Sequence, residues 1–294
     1  MLRISHPDRV IDPLTGLTKL DLVRYYESMA DRMVPHLKGR PVAEVRGPQG
    51  IGGQQFFQRH DPAAEDDEAP LQIASAEQLL AAAQLNVIEF HTGNVKLRAP
   101  AKPDRMVFDL DPGEGLAWPH MQEGAELVRA LLHELGLQGW LKTSGGKGLH
   151  VVVPIAARWS ADMVKAVTKA TVERLAQTLP ERFVAKSGPA NRVGRIFVDY
   201  LRNGETATTV AAFSARARPG LGVSMPIHWD QLRELESGAQ WTVQTARDQL
   251  SVEKHDPWAG YADARQSLTA AIKTLGLKFA PNAAGPARGR SRKS

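Results

Sequence analysis

The stretch Arg105-Met-Val-Phe-Asp-Leu-Asp-Pro-Gly-Glu-Gly115 reads as an apolar strand that ends in two carboxylates and a turn. Because alternate side chains of a strand share a face, Asp109 and Asp111 are predicted to point the same way, about 7 Å apart at the backbone. Two like charges at that spacing repel each other unless a cation lies between them. The pattern leaves two interpretations, a solvated strand end before an Asp-Pro-Gly turn or a divalent-metal site.

A second apolar segment, Arg195-Ile-Phe-Val-Asp-Tyr200, also delivers an acid from a strand. If the two strands are neighbours, Asp199 joins Asp109 and Asp111 in one acidic cluster. Three carboxylates, with no cysteine and no histidine cluster, suit a hard cation such as Mg²⁺ or Mn²⁺ rather than zinc. An Asp-x-Asp pair alone also occurs in glycosyltransferases, in aspartyl-phosphate phosphatases and as ordinary surface charge.

The segment Lys142-Thr-Ser-Gly-Gly-Lys-Gly-Leu-His150 is a glycine-rich turn between two apolar strands. Its backbone N–H groups and cationic side chains offer the chemistry that a triphosphate needs. It is not a P-loop, because Gly148 rather than Ser or Thr follows Lys147. The alternative is a hairpin turn with exposed Ser and Lys. We favour the functional interpretation because His150 opens an apolar strand, where a polar ring needs a reason.

Basic side chains flank these motifs and are candidates by residue type. Arg192 and Arg195 border the strand of the third acid, and Arg216 and Arg218 share a face if residues 214–218 are extended. Arginine can hold phosphate oxygens with two parallel hydrogen bonds. His91 ends the strand Asn-Val-Ile-Glu-Phe-His, where an isolated histidine is more often structural.

Two features nearer the N-terminus have competing interpretations. Arg9 and Lys19 precede and begin the first predicted helix, and as an isolated pair they read as solvated charges. Phe56 and Phe57 are either core residues or a platform on which a base stacks. In a strand, one of the two phenylalanines is expected to point inward, and the other then needs a partner.

Composition bounds the class of protein. The chain has 294 residues, of which 43% are hydrophobic, enough for one large domain or two small ones. Cysteine is absent, which excludes a disulfide scaffold, a thiol nucleophile and Cys-ligated zinc and fits a reducing cytoplasm. We find neither an apolar run long enough to span a membrane nor a signal peptide, and we expect no membrane contact.

The net charge of +5 is concentrated at the C-terminus. The last ten residues contain no acid and supply +4, which leaves the body near +1; the cations are Arg288, Arg290, Arg292 and Lys293. We predict a disordered basic tail over residues 281–294 that could touch nucleic acid or simply aid solubility.

Hydrophobic periodicity predicts a mixed order of elements. Helices are predicted over residues 18–36, 76–85, 119–136 and 160–179. Strands are predicted over residues 42–46, 86–91, 105–111, 140–143, 149–154, 195–200 and 208–213. Because strands and helices do not strictly alternate, we expect an α/β (α+β) domain with a mixed, largely antiparallel central sheet flanked by helices.

Taken in order, FDLDPGEG, TSGGKGLHVVVP and FVDYLRN resemble the catalytic core of the archaeo-eukaryotic primase superfamily. More narrowly they resemble the polymerase domain of bacterial DNA ligase D, which works with Ku in non-homologous end joining. The resemblance runs from about Arg9 to Arg218. It implies a primase-polymerase catalytic domain over residues 1–280 with an RRM-like core, in a bacterial, nucleoid-associated cytoplasmic protein.

The resemblance also implies roles for individual residues. Asp109, Asp111 and Asp199 would bind two catalytic divalent cations, Mn²⁺ by preference or Mg²⁺. The implied nucleotide-binding residues are His91, Ser144, Lys147, His150, Arg192, Arg216, Arg218, Phe56 and Phe57. Arg9 and Lys19 match a pocket for the 5′-phosphate across a gap. The family usually has Lys at one of these two positions, so Arg9 keeps the charge and changes the donor geometry.

Our leading hypothesis is an enzyme that adds ribo- or deoxynucleotides to a 3′-hydroxyl at a broken or gapped DNA end, with or without a template. Expected partners are 5′-phosphorylated DNA, nucleoside triphosphates, Ku, and ligase and phosphoesterase modules if the chain is part of a longer polypeptide. Two alternatives stay open. One is a non-catalytic end-bridging module that uses Arg9, Lys19 and the basic tail, and the other is a Mn²⁺-dependent sugar-nucleotide transferase.

Overall fold

The computed structural model describes residues 3–253 and 255–278, so the predicted tail at 281–294 lies outside the described residues. The helices are Lys19–Leu37 (α1), Ala76–Gln84 (α2), Trp118–Glu134 (α3), Ala161–Thr178 (α4), Ala246–Val252 (α5) and Thr269–Thr274 (α6). The strands are Val10–Asp12 (β1), Leu17–Thr18 (β2), Val42–Arg46 (β3), Phe56–Gln58 (β4), Val87–Gly93 (β5), Val95–Lys96 (β6), Ala99–Pro103 (β7), Arg105–Pro112 (β8), Trp140–Thr143 (β9), Leu149–Pro154 (β10), Phe183–Val184 (β11), Ile196–Asp199 (β12), Thr208–Val210 (β13) and Pro226–Ile227 (β14).

Two sheets organise the molecule. The central sheet has six strands in the order β11-β12-β8-β10-β9-β14, and a second sheet has four in the order β13-β5-β3-β4. Only the β11–β12 pair of these two sheets, within the described residues, is parallel. The predicted mixed, largely antiparallel sheet with flanking helices is confirmed.

The first helix begins where its sequence predicts. The Thr18 hydroxyl accepts from the Asp21 N–H while the Asp21 carboxylate accepts from the Thr18 N–H, a complete capping box. At α2, the Ser75 hydroxyl accepts from the Gln78 N–H, the first half of a capping box. The reciprocal half differs, because the Gln78 side chain accepts from Ala74 N–H instead of Ser75 N–H.

One predicted strand is shorter than expected. The strand predicted over residues 208–213 stops at Val210 because the chain turns immediately afterwards. Phe213 adopts a φ of +65°, a left-handed conformation that a strand does not contain, and its N–H donates to the Ser224 carbonyl. The aromatic ring still lies in the core.

The central strand β8 separates the core from the polar face of the sheet. Phe108 and Leu110 are fully buried on one face of the sheet, which α3 covers. The helix packs so closely there that a Cβ at its residue Gly124 would lie 2.2 Å from the end of the Ile196 side chain. Asp109 and Asp111 therefore lie on the opposite face. None of the helices in the described ranges combines the length and the apolar character needed to cross a membrane.

Candidate active site

A row of polar side chains crosses four strands of the central sheet. Asp199 on β12 pairs with Asp109 on β8, Asp109 pairs with His150 on β10, and His150 pairs with Lys142 on β9. Because directly paired residues share a face, all four side chains point to the same side of the sheet. The structure thus brings the third acid beside the first two, as the sequence suggested.

Arginines neutralise the three carboxylates. Arg202 Nε lies 3.3 Å from Asp109 Oδ2 and 3.2 Å from Asp199 Oδ2, so one guanidinium bridges two acids. Arg192 Nη1 lies 3.2 Å from Asp111 Oδ2. The repulsion expected between the acids is therefore offset by cations that belong to the chain itself.

The acids differ in how readily they ionise. Burial and the neighbouring Asp109 raise the pKa of Asp111 to about 6. Burial also raises the pKa of Asp199, although Arg202 opposes it. For Asp109, burial is outweighed by His150 and Arg202, which hold its pKa below the usual range. Asp109 is therefore ionised, whereas the negative charges of Asp111 and Asp199 are unfavourable. A further cation beside them would stabilise those charges.

His150 and Lys142 continue the row beyond Asp109. His150 Nε2 lies 3.1 Å from Asp109 Oδ1, and the buried His150 Nδ1 has no hydrogen-bond partner in the described structure. Burial and the nearby Lys142 lower the pKa of His150 to about 4, so its ring is neutral at pH 7. The buried Lys142 ammonium donates to the Ser224 hydroxyl at 2.5 Å, and burial lowers its pKa strongly.

The glycine-rich turn closes over its own serine. The Ser144 hydroxyl accepts from the N–H groups of both Gly146 and Gly148 at 3.1 Å, and the Arg216 Nη1 donates to the Ser144 carbonyl at 2.8 Å. Gly148 passes so close to strand β8 that a Cβ there would lie 2.1 Å from the Leu110 carbonyl oxygen. The turn is thereby fixed against the strand that carries the acids.

The acids and the turn face one cavity of about 1070 Å³. Eight of the predicted site residues line it: Asp109, Asp111, Ser144, Lys147, His150, Arg192, Arg216 and Arg218. Arg216 and Arg218 both reach this cavity although their segment is a loop rather than the extended strand we considered. Asp199 does not line the cavity, but it contacts Arg202, which does.

His91 belongs to a buried charged group next to the cavity. Its Nε2 lies 2.6 Å from Glu89 Oε2, and the same oxygen lies 3.1 Å from Arg216 Nε. Phe57 packs edge-on against the His91 ring with centroids 5.9 Å apart, and Arg59 lies over the Phe57 ring at 4.9 Å. This group connects the four-stranded sheet to the glycine-rich turn.

The expectation that one phenylalanine of the pair points inward is wrong. Phe56 and Phe57 are 48% and 51% exposed. They lie on β4, a three-residue strand at the edge of the four-stranded sheet, so neither of its faces is covered there. Phe57 shares its face with Glu89 and His91, whereas Phe56 points to the other face.

Arg9 and Lys19 lie together, away from the residues that line the cavity. The Lys19 N–H donates to the Arg9 carbonyl, and the buried Lys19 ammonium donates to the carbonyl of Ser5 at 2.9 Å. Arg9 donates to the Pro48 carbonyl. Burial and Arg9 lower the pKa of Lys19. In the described structure neither cation has an acidic partner.

Three residues of this site had no role in our sequence interpretation. Arg202 follows Asp199 by three positions in a 3₁₀ turn, and Glu89 precedes His91 by two positions in one strand. At these spacings the two side chains lie on the same side of the backbone as Asp199 and His91, which is the signal that could have identified them. Lys142 opens the glycine-rich motif, but its burial was not visible from the sequence.

The carboxylates fit a divalent cation by donor type. Hard oxygen ligands from Asp109, Asp111 and Asp199 are those that Mg²⁺ and Mn²⁺ prefer. Within the described residues, however, no three acidic or histidine side chains converge as a preformed metal cage would. Arg192 and Arg202 each contact one oxygen of these carboxylates, so a bound cation would compete with the arginines for them.

Comparison with known proteins identifies similar chains. Residues 18–258 match the family described as LigD, primase-polymerase domain. The chain is 48% identical over 286 residues to the multifunctional non-homologous end joining protein LigD of Pseudomonas aeruginosa, covering 92% of this chain and 34% of that protein. It is 34% identical to the LigD of Mycolicibacterium smegmatis, over 80% of this chain and 33% of that protein. The chain thus spans about a third of the length of these relatives.

A solved structure supports the same relation. The polymerase domain of Mycobacterium tuberculosis ligase D, in complex with DNA, superposes with a TM-score of 0.81 at 28% sequence identity. The match covers 90% of this chain and 99% of that domain. The similarity therefore extends over nearly the whole of both folds.

Proposed function

Because the chain belongs to the LigD primase-polymerase family, we propose that it is a nucleotidyltransferase that extends a 3′-hydroxyl at broken or gapped DNA ends. The substrates would be ribo- or deoxynucleoside triphosphates, and addition would proceed with or without a template. Ku and the ligase and phosphoesterase modules of a longer polypeptide are the proposed partners.

One observation carries the proposal: Asp109 and Asp111 and the cationic glycine-rich turn line the same cavity. Phosphoryl transfer requires little covalent chemistry from the protein and depends on positioning and charge. The acids provide negative ligands. Lys147, Arg216 and Arg218 provide positive charge in the same cavity, where a triphosphate needs it.

The chain's own residues would position the reactants. Lys147, Arg216 and Arg218 would hold the triphosphate, while Arg192 and Arg202 keep the carboxylates ionised and in place until the substrates bind. Two divalent cations, when held by Asp109, Asp111 and Asp199, would supply activation of the primer hydroxyl and neutralisation of the leaving pyrophosphate.

The decisive experiment is nucleotide addition to a gapped, 5′-phosphorylated duplex in the presence of Mn²⁺. Asp109→Asn preserves the shape of the side chain and removes its charge, so we expect a rate loss of at least about 100-fold. Asp263→Asn, at an exposed acid outside the site, is the matched control and is expected to retain full activity. Near-normal addition by Asp109→Asn would refute the proposed role of the acids.

A second function is favoured by the Arg9–Lys19 pair. Two adjacent cations with only neutral acceptors in the described structure would bind the 5′-phosphate of a DNA end. An end-bridging module needs this pocket and not the acids, so Asp109→Asn would still bind 5′-phosphorylated DNA. Family membership favours nucleotidyl transfer over the sugar-nucleotide transferase that the Asp-x-Asp pair also allowed.

A further inference from the structure

Glu89 is a buried carboxylate with three polar partners from different parts of the chain. One oxygen, Oε1, accepts from the Ala217 N–H at 2.6 Å. The other, Oε2, accepts from His91 Nε2 at 2.6 Å and forms an ion pair, without hydrogen-bond geometry, with Arg216 Nε at 3.1 Å. The side chain is only 7% exposed, so water does not replace these partners.

We infer that Glu89 is a positioning residue of the nucleotide site, which fixes the His91 ring and the Arg216 guanidinium relative to each other. The inference rests on the proposed nucleotidyltransferase function. Of the three residues only Arg216 lines the cavity, so Glu89 would act through the residues it holds.

The first consequence concerns the histidine. Although burial opposes ionisation of Glu89, its bond to His91 and the charge of Arg216 hold its pKa at about 2, so Glu89 is ionised. Burial lowers the pKa of His91, so the ring is neutral and must place its one proton on Nε2 to bond the carboxylate. Nδ1 is then an acceptor. In the described structure it has no hydrogen-bond partner, which suits a ligand hydroxyl and not a phosphate oxygen.

The second consequence concerns the arginine. Glu89 lies on β5 of the four-stranded sheet, whereas Arg216 donates to the Ser144 carbonyl in the turn of the central sheet. The Glu89–Arg216 contact is therefore a bridge between the two sheets at the cavity. Loss of the negative charge would leave a mostly buried guanidinium with less compensation and free it to move away from the turn.

The Ala217 N–H makes Glu89→Gln a sharp test. A glutamine has one acceptor oxygen, and if that oxygen stays with Ala217, the NH₂ group faces Arg216 and His91. It would repel the guanidinium and force the His91 proton from Nε2 to Nδ1. If the amide turns the other way, its NH₂ group meets the Ala217 N–H instead, and one donor clash remains in either case.

Glu44→Gln is the matched control. Glu44 is also a buried glutamate and lies on the adjacent strand β3, but it shares a face with Phe90 and therefore points away from His91. The two variants make the same chemical change at neighbouring strands. A general effect of placing an amide at a buried glutamate position in this sheet would appear in both.

We would measure KM and kcat for nucleotide addition in both variants. Glu89→Gln is expected to raise KM for the nucleotide by about 10- to 100-fold, the effect of losing a charged hydrogen bond, with a smaller change in kcat. Glu44→Gln is expected to match the parent protein. In the double variants with Arg216→Met or His91→Ala, the effects are expected to be less than additive, because the partners act as one unit.

An independent readout does not depend on activity. Long-range ¹⁵N NMR spectra of histidine-labelled protein distinguish the two ring tautomers, and the His91 signals are assigned by their loss in His91→Ala. We expect the Nε2–H form in the parent protein and a shift to Nδ1–H in Glu89→Gln but not in Glu44→Gln.

The outcomes separate the two proposals. Parent-like KM in Glu89→Gln, or fully additive double variants, would overturn the role of Glu89 while leaving the enzyme assignment intact. An inactive parent protein would overturn the proposed function, and the NMR arm would then decide whether Glu89 controls the His91 ring.

Discussion

Gly148 is a residue at which a very small substitution should have a large effect. A Cβ at this position would lie 2.1 Å from the Leu110 carbonyl oxygen and 3.2 Å from the Leu110 carbonyl carbon. The first contact is with backbone, which cannot rotate away as a side chain can. The strand that carries Asp109 and Asp111 must move if the turn is to stay in place.

The size of the movement follows from the structure. Contacts of a Cβ below 3.0 Å are essentially absent from proteins, so the gap between Gly148 and Leu110 must open by about 0.9 Å. Overpacking of this kind costs about 1–3 kcal/mol of unfolding free energy. A displacement near 1 Å at reacting groups lowers a rate by about 100-fold.

The assay compares Gly148→Ala with Gly146→Ala in the same turn. At Gly146 a Cβ would have its nearest neighbours at 3.6 Å, an ordinary contact, so its unfolding free energy should change by less than about 0.5 kcal/mol. Urea unfolding of both variants measures stability, and nucleotide addition by Gly148→Ala measures the displacement of the acids. If Gly148→Ala were as stable as Gly146→Ala and as active as the parent, the close approach of turn and strand would be wrong.

Three further predictions rest on other contacts. Burial raises the pKa of Glu44 from 4.5 to about 7, so the folded protein prefers the protonated side chain and loses stability as pH rises from 4.5 through 7. The variant Glu44→Gln should therefore be about 2–3 kcal/mol more stable than the parent at pH 8 and little different at pH 4.5. Urea unfolding at the two pH values measures this difference. Removing the charge of Lys19 or Arg9 should weaken binding of a 5′-phosphorylated gapped duplex but not of its 5′-hydroxyl counterpart, with the salt slope of log K smaller by about 1 for each variant. The Asn203 side chain accepts from the Val107 N–H at 2.8 Å and donates to the Val107 carbonyl at 2.7 Å. Asn203→Leu leaves both backbone groups unpaired and should lower the unfolding free energy by about 2–6 kcal/mol. An unchanged midpoint in thermal or urea unfolding would contradict this account.

Features with a short-range cause were predictable from the sequence. The helix at residues 18–36, the strand that ends at Asp109 and Asp111, and the turn at Ser144 all follow from periodicity and turn chemistry within about ten residues. Only the family resemblance placed Arg9 and Lys19 in one pocket, because local sequence patterns gave no contact between them. Their contact arises because β1 and β2 form a hairpin that the sequence interpretation did not include.

The family motifs extended the prediction beyond local structure. Their order indicated the family and a shared site, and eight of the implied residues do line one cavity. Order along the chain could not show that Arg202 bridges Asp109 and Asp199, because that depends on the side-chain path out of a 3₁₀ turn. The roles of the metal ligands and of the nucleotide-binding residues stay predictions.

Only the tertiary structure determined the register of the distant strands and the burial of the charged side chains. Asp199 faces Asp109 because β12 and β8 pair in one register across about ninety residues, and a slip of one residue would turn its side chain to the other face. Glu89 meets Arg216 only because the loop that follows β13 runs beside β5, and Phe56 and Phe57 are both exposed because β4 lies at an edge. Backbone preferences act over a few residues and so can be read along the chain. The pairing of distant strands and the exclusion of water are properties of the packed whole, and they placed the charges of this site.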